Sequence, residues 1–287
     1  MPAAFLATMA LTISSCSDDN DEPNPEPNPG EETVKVDPKT VFSQGVPKEV
    51  GDMVITTNAD GLVTKIVVDE DEVTTFDYTG SSKSKSRAGV TIPTDYDMVM
   101  NLDDDGDKYV FYIKLNDMGY ISYAYEVEVG NSDDGSDTAE EWWFEYNANG
   151  QLTQMKRTEG DNEVTTMTYD ANGDITTVKV KDDTGDDSTC SILYTDATHS
   201  TPIANKSGIM LYDYSLRIDM DEMAPAYFAG LLGKGTTNLP LSAKEVQDGT
   251  TEYTFTWTLN ATQMPTKFES EAKSEWGNYT DVIDIKW

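Results

Sequence analysis

The chain has 287 residues, of which 53 are acidic and 20 basic, so its formal net charge is −33. This charge repels polyanions, and we exclude nucleic acid as a partner. Hydrophobic residues make up 37% of the chain and aromatic residues 10%, which is enough for a folded core. With 2 Cys and 1 His, the sequence lacks the ligands of a Cys/His zinc site and most of the parts of a catalytic triad. We therefore expect no cofactor and no enzymatic activity.

The amino terminus has the features of a secretion signal. Residues 4–13 form an apolar run of the length found in signal peptides, too short to span a bilayer as a mature helix. Ile13, Ser14 and Ser15 then precede Cys16, an arrangement that resembles a lipobox, in which the cysteine thiol receives a diacylglycerol. We predict a signal peptide over residues 1–15 and a lipid anchor at Cys16. An ordinary signal peptide with an incidental cysteine is the alternative.

Residues 16–47 have the composition of a tether. The acidic residues 17–22 resemble the export signal that sends Bacteroidetes lipoproteins to the outer face of the outer membrane, although an ordinary acidic spacer would look similar. From Pro23 to Pro29 every second residue is proline, which prevents regular strand or helix pairing. We predict an extended tether and an outer-membrane location with the folded domain facing the cell exterior.

Beyond residue 48 the apolar residues recur with a period of two, which is typical of antiparallel strands with one buried face. The pattern is clear in residues 109–115, 142–146 and 253–259. In residues 123–129, the odd-numbered Tyr and Val residues are assigned to the buried face, and the intervening Ala and Glu residues to the opposite face. The period predicts an all-β domain over residues 48–287, built as an antiparallel meander.

A short internal repeat punctuates these strands. Asn58, Asn147 and Asp170 each begin an Asn/Asp-Ala-Asn/Asp-Gly segment, and one residue after the Gly come an apolar residue and Thr. Residues 116–122 are a looser copy, and in residues 260–266 a glutamine replaces the glycine. Because Asn, Asp and Gly tolerate left-handed backbone conformations, the repeat predicts hairpin turns.

One segment departs from the strand pattern. Residues 219–232 are rich in apolar residues, with Pro225 placed as a first-turn residue and Gly233 as a helix stop. We predict one short helix here that plugs one end of the sheet.

These hairpins, together with the segments 202–213 and 229–240 and the closing strand pair, resemble a Bacteroidetes secreted lipoprotein family of unknown function with a porin-like fold. The resemblance covers most of residues 48–287. It implies a curved, porin-like or barrel-like sheet and a secreted lipoprotein, and it assigns no activity.

A candidate calcium site lies in the first long hairpin. Asp103, Asp105 and Asp107 place oxygen ligands at alternate positions, as in the first half of a calcium loop. The twelfth position of that loop is Tyr112 rather than the bidentate Glu, and both flanks have strand patterns. A simple hairpin turn is therefore the preferred interpretation, and calcium is the alternative.

Two aromatic residues fall out of phase with the apolar faces of their strands. Trp143 must face away from Trp142, and Tyr112 departs from its strand in the same manner. Exposed aromatic rings beside carboxylates are typical of sugar-binding surfaces, so Tyr112 and Trp143 are our candidate ligand-binding residues. The competing interpretation is that both faces of the sheet are covered, with Trp143 packed under the predicted helix.

The sequence thus favours a surface lipoprotein that acts as a binding or accessory module, with a glycan as the expected ligand. A structural protein that docks onto an outer-membrane assembly and a calcium-dependent module are the alternatives. An integral outer-membrane barrel is the least favoured interpretation, because the acidic hairpins lack a clear apolar outer band.

Overall fold

The structure is a computed structural model that describes residues 36–68, 72–79, 89–130, 137–158, 162–185, 187–275 and 277–287. The predicted signal peptide, Cys16 and the proline-rich part of the tether lie outside the described residues. Residues 34–287 group into one compact unit.

Strands account for most of the described chain. They are β1 (Glu49–Val50), β2 (Met53–Thr57), β3 (Val63–Val67), β4 (Glu72–Asp77), β5 (Met98–Asp104), β6 (Asp107–Leu115), β7 (Ile121–Glu128), β8 (Thr138–Tyr146), β9 (Leu152–Arg157), β10 (Val164–Tyr169), β11 (Ile175–Lys181), β12 (Ser188–Leu193), β13 (Ile203–Ala204), β14 (Asn238–Leu239), β15 (Ser242–Val246), β16 (Thr250–Leu259), β17 (Pro265–Ser274) and β18 (Gly277–Lys286). The helical elements are α1 (Ala224–Phe228), the 3-10 turns Pro38–Thr40 and Asp221–Met223, and the π-helical turn Tyr212–Leu216.

The strands form a closed antiparallel barrel. Strands β1 to β12 and β15 to β18 pair in order around the ring, and β1 closes it by pairing with both β18 and β2. Apart from the closing β1–β18 pair, β12 and β15 are the described barrel strands that pair without following one another in the chain, because residues 194–241 lie between them. Strands β13 and β14 pair in a separate two-stranded sheet. The predicted all-β antiparallel meander is confirmed, and the structure adds that its sheet closes.

The predicted repeat forms five copies of one turn. In each copy the side-chain oxygen of the first Asn or Asp accepts hydrogen bonds from the backbone N–H groups two and four residues later. The residue three positions on has a left-handed φ, from 66° at Gln263 to 89° at Gly173. The turns begin at Asn58, Asn116, Asn147, Asp170 and Asn260 and follow β2, β6, β8, β10 and β16. Because the strands alternate in direction, all five lie at one end of the barrel, called here the packed end.

Residues 194–241 connect β12 to β15 and are called here the plug; within it, residues 207–241 are mostly buried and pack with the inward side chains of the wall in one core. Tyr227 lies near its centre, where its hydroxyl donates to the Gly208 carbonyl and accepts from the Met210 N–H at 2.8 Å. Its ring makes edge contacts with Phe42 and Tyr212, at centroid separations of 5.3 and 4.9 Å. Tyr and Phe side chains of this size bury enough apolar surface to hold the plug inside the wall.

The predicted helix is present but shorter than expected. Pro225 lies in its first turn as predicted, but α1 ends at Phe228. Gly230 follows with a φ of 79°, which breaks the helix before Gly233 is reached. The apolar residues of the segment, from Met220 to Leu232, belong to the buried core, whereas Asp219 and Asp221 are exposed.

The folded unit begins earlier than the predicted tether boundary at residue 47. Val36, Val41 and Phe42 are buried, and Asp37 caps the 3-10 turn that follows it. The Phe42 ring is fully buried and contacts Tyr227 of the plug, so this segment gains stability by packing rather than extending into solvent. The boundary derived from proline spacing is therefore corrected: residues 36–47 belong to the folded unit.

The two faces of the barrel wall differ in character. In β16, the inward Tyr253, Phe255 and Trp257 are buried, while Thr254 and Thr256 between them are exposed on the outer wall.

None of the helices in the described ranges has the length and apolar character needed to cross a bilayer.

Strand β7 has the opposite orientation to the one predicted. Ala124 and Glu126 face the interior, and the tyrosines of this strand face outward. The register explains the reversal, because Ala124 lies opposite Ile113 and Glu126 opposite Phe111, both of which are fully buried. Glu126 is tolerated inside because its carboxylate accepts a 2.7 Å hydrogen bond from the Trp142 indole N–H.

Candidate functional site

Three aromatic residues line the outer wall of β7 and β8. Tyr123, Tyr125 and Trp143, called here the aromatic strip, are all partly exposed. Tyr123 lies directly opposite Trp143 in the sheet, and their rings are 5.9 Å apart at a tilt of 55°. The strip is held by the rigid strand ladder rather than by loops, which keeps the relative position of the two rings constant.

Polar groups surround the strip. The Lys156 ammonium lies 5.0 Å from the centre of the Trp143 ring, and Glu141 is opposite Tyr125 on the neighbouring strand. Partial burial, together with the Glu141 carboxylate, raises the pKa of Tyr123 to about 12, so its hydroxyl stays protonated. The site therefore combines apolar ring surface with hydroxyl, ammonium and carboxylate groups that can bind ligand hydroxyls.

The two predicted ligand residues, Trp143 and Tyr112, differ in their exposure. Trp143 faces outward as expected, and the plug lies inside the barrel rather than over it. Tyr112 also points outward, but it is only 7% exposed because Ile92 and Tyr96 pack with it in a small outer cluster. Its ring packs at 5.0 Å against the ring of Tyr96. Tyr112 is therefore a packing residue of a small outer cluster and does not present a free ring to a ligand.

The three candidate calcium ligands lie in a tight hairpin. Strands β5 and β6 are joined by Asp105 and Gly106, whose φ values of 49° and 99° match a two-residue turn of the type that favours hairpins. Asp103 forms an ion pair with Lys108. Among the described residues, no group of three or more His, Cys, Asp or Glu side chains is arranged to hold a metal ion. Calcium binding at Asp103, Asp105 and Asp107 stays a prediction that rests on the sequence pattern.

Cys190 is a core residue. It is 2% exposed and faces Val178 across the β11–β12 ladder. Burial raises the pKa of its thiol to about 12, so at neutral pH it is a protonated apolar side chain and a poor nucleophile.

A cavity of about 560 Å³ opens at the end of the barrel opposite the packed end. We call this end the acidic end and the cavity the chamber. Eight of the described residues that line the chamber are Asp or Glu, and none of them is Lys or Arg. The acids come from the wall and from the plug, including Asp52, Asp281, Asp213 and Glu222.

Two arginines attach the plug to the wall near the chamber. Arg157 of β9 binds Asp221 at 2.7 Å and lies 3.6 Å from Asp219, both on the plug. Arg217 of the plug reaches Glu245 of β15 at 3.3 Å. These ion pairs are partly buried, so they are screened less by water than pairs at the open surface.

Reasoning from the sequence missed two parts of this site. Tyr123 and Tyr125 were assigned to the interior, although one signal pointed otherwise: residues 109–113 of the neighbouring strand are all apolar, which is typical of burial on both faces. The chamber acids are far apart in sequence, from Asp52 to Asp281, and no local pattern brings them together.

A comparison with known protein families matches residues 55–267 to "Domain of unknown function (DUF4595) with porin-like fold". The chain belongs to this family. Among solved structures, this DUF4595 chain is similar to a porin-like protein from Bacteroides uniformis, with 18% identity and a TM-score of 0.55, over 82% of this chain and 88% of the other. A porin-like protein from Bacteroides vulgatus matches with 14% identity and a TM-score of 0.48, over 84% and 98% of the two chains. None of the curated proteins matches the sequence. The Bacteroides uniformis structure supports the porin-like fold of this DUF4595 chain and nothing beyond the fold.

Proposed function

We propose that this chain is a lipid-anchored protein of the outer-membrane surface that binds a glycan and has no enzymatic activity. The aromatic strip is the observation that carries the proposal. Sugar rings have apolar faces that stack on aromatic side chains, while their hydroxyls need hydrogen-bonding partners at the edge of the rings. Tyr123 and Trp143 provide two neighbouring rings, and Glu141 and Lys156 lie beside them.

The anchor and the surface location are supported by the sequence around Cys16. Residues 36–42 pack against the plug, and Tyr120 at the packed end contacts Thr40, so the chain joins the barrel at that end. A lipid at Cys16 would therefore hold the barrel through its packed end. The outer wall with the aromatic strip would stay accessible to long polymers.

The filled interior supports binding rather than passage of solutes. Plug residues such as Met223, Ala226 and Leu231 have no exposed surface and pack in one core with the inward residues of the wall, where an open pore would need water. A barrel with a packed interior can present a rigid outer wall, which is suited to binding a ligand.

The test is a glycan array with the chain from Ser17 to Trp287, in the presence and absence of calcium. We expect selective binding that Trp143→Ala weakens by about tenfold or more, because one stacked ring is lost. Trp143→Phe should retain part of the affinity because it keeps an aromatic face. Tyr279→Ala is an aromatic control away from the strip, since Tyr279 is an exposed tyrosine on β18, on the opposite side of the ring from β8.

A blank array, or equal binding by the native chain and Trp143→Ala, would overturn the glycan proposal. The alternative is then docking onto an outer-membrane protein, which crosslinking on intact cells would detect. For the calcium-dependent alternative, a chelator should lower the melting temperature.

A further inference from the structure

We propose that the chamber at the acidic end binds a small organic cation, an amine or guanidinium group carried on an apolar body. This inference goes beyond glycan binding and does not depend on it, because the chamber and the aromatic strip lie on different surfaces of the barrel.

The chamber has the volume of a small-molecule site, and buried apolar side chains form its floor. Its volume of about 560 Å³ lies within the range of about 300–1,000 Å³ that is usual for ligand pockets. The plug contributes Met210, Tyr212 and Phe228 to its lining, and the wall contributes Leu102 and Ile283, all of them buried. An apolar ligand body would replace water against these side chains, which is favourable in proportion to the area covered.

The charged residues around the apolar floor of the chamber favour a positively charged ligand. Carboxyl groups in the described lining outnumber the two nearby guanidinium groups four to one. Those guanidinium groups are already engaged, since Arg157 binds Asp221 and Glu163 while Arg217 binds Asp213 and Glu245. A cavity with walls of one charge sign and low dielectric concentrates its field on the opposite charge.

One carboxylate oxygen in the lining has an unmet hydrogen-bonding capacity. Oε2 of Glu222 is fully inaccessible to solvent, and no described residue donates a hydrogen bond to it. A buried acceptor without a donor costs about 1–3 kcal/mol. An ammonium or guanidinium group has several N–H donors and carries the charge that the carboxylate needs.

The raised pKa values of two chamber acids are consistent with a site for a positively charged group. Burial, with a contribution from Asp221, raises the pKa of Glu222 to about 8, and burial also raises the pKa of Asp213. Both shifts identify carboxyl groups whose charged form is disfavoured by their surroundings. Such groups gain most from a positive charge placed beside them.

The test uses three probes of nearly equal shape with the chain from Ser17 to Trp287, measured by titration calorimetry at low ionic strength. The probes are 2-phenylethylamine, the neutral 2-phenylethanol and the anionic phenylacetate. We expect the amine to bind at least about tenfold more tightly than the alcohol, and phenylacetate to show no heat of binding.

A charge-matched pair of variants then locates the site. Asp52→Asn, Asp104→Asn and Asp281→Asn combined remove three lining charges and should weaken amine binding by about tenfold or more. The control removes three exposed charges from the outer wall by combining Glu145→Gln, Glu252→Gln and Glu271→Gln. It should leave the affinity within about twofold of the native value, since screening limits long-range effects.

Three results would each overturn the proposal. They are the absence of amine binding to the native chain, equal binding of amine and alcohol, and equal loss of amine binding in the two triple variants. The first two comparisons use only the native chain, so they remain decisive even if the chamber variant fails to fold. Loss of glycan binding in the array experiment would not affect them.

Discussion

At the packed end of the barrel, close backbone contacts hold the plug against residues 36–42 and the turns of the wall, whereas at the acidic end long charged side chains link the plug to the wall. Gly208 approaches the Val41 carbonyl so closely that a Cβ atom at this position would lie 2.0 Å from its oxygen. Gln151, buried at the packed end, donates to the carbonyls of Gly173 and Gly235 and so joins two turns of the wall and plug. At the acidic end Arg157 and Arg217 make the corresponding links through ion pairs.

This difference indicates which end of the barrel can tolerate small structural changes. Backbone packing without side chains tolerates no added volume, because interiors are close-packed and the atoms involved cannot rotate away. Ion pairs between flexible side chains tolerate small displacements and respond to pH and salt. The packed end should therefore be sensitive to shape and the acidic end to charge, which the following predictions test.

The largest effect should come from Gly208→Ala. The new methyl group would clash with the Val41 oxygen, and the φ of 81° disfavours alanine as well. We expect a loss of about 3 kcal/mol or more in the free energy of unfolding, measured by urea denaturation.

The matched control is Gly61→Ala, at a φ of 84° with open space around the added methyl group. It should incur only the backbone strain, about 1–2 kcal/mol. Equal losses for the two variants would show that the close approach at Gly208 does not matter, and the comparison between the two ends would fail.

An intermediate effect should come from Asn147→Ala in one of the five repeated turns. The substitution removes the acceptor for the N–H groups of Asn149 and Gln151, and it also removes the 3.2 Å bond from the Asn147 amide to the Gln151 side chain. We expect a loss of about 2 kcal/mol in denaturation, since backbone donors near the plug lose their partner.

Asn147→Asp should recover most of this loss, because Asp170 plays the same role in the sister turn. Asn149→Ala, in the same turn, is the control, since Asn149 contributes its backbone N–H to the turn. If Asn149→Ala destabilises the chain as much as Asn147→Ala, the side-chain acceptor does not hold the turn.

The smallest effect should come from Glu222→Gln at the acidic end, and it should depend on pH. Because the folded-state pKa of Glu222 is raised to about 8 from 4.5, the unfolded state loses this proton first. The stability tied to the protonated carboxyl is complete below about pH 4.5 and is lost as the pH rises toward 8. Glutamine stays neutral, so the variant should match the native chain near pH 5.

At pH 8 the variant should be more stable by about 1–2 kcal/mol, because water at the chamber mouth screens part of the effect. Melting temperatures at pH 5, 6.5 and 8 would measure the trend. Glu271→Gln on the outer wall is the control for the change in net charge. A pH-independent difference between native chain and Glu222→Gln would contradict this prediction.

Local chemistry explains what could be predicted about the fold. The period of two identified the strands of the meander, and the Asn/Asp-x-x-Gly pattern identified all five repeated turns, including the copy with Gln263. Both signals are carried by neighbouring residues, since the side-chain direction in a strand alternates and an Asn side chain reaches only its own turn. The outward direction of Trp143 followed from the same alternation.

The sequence by itself thus determined the strand period, the turn type and the acidic character of the chain. Only the tertiary structure decided that the sheet closes, that residues 207–241 pack with the inward side chains of the wall, that β7 turns its tyrosines outward and that Tyr112 is covered. The physical reason is that these features depend on pairings between distant strands and on the volume available inside the ring. The strand pairings and the interior volume are defined only once the barrel has closed. The same closure brings Asp52, Glu222 and Asp281 together around one chamber.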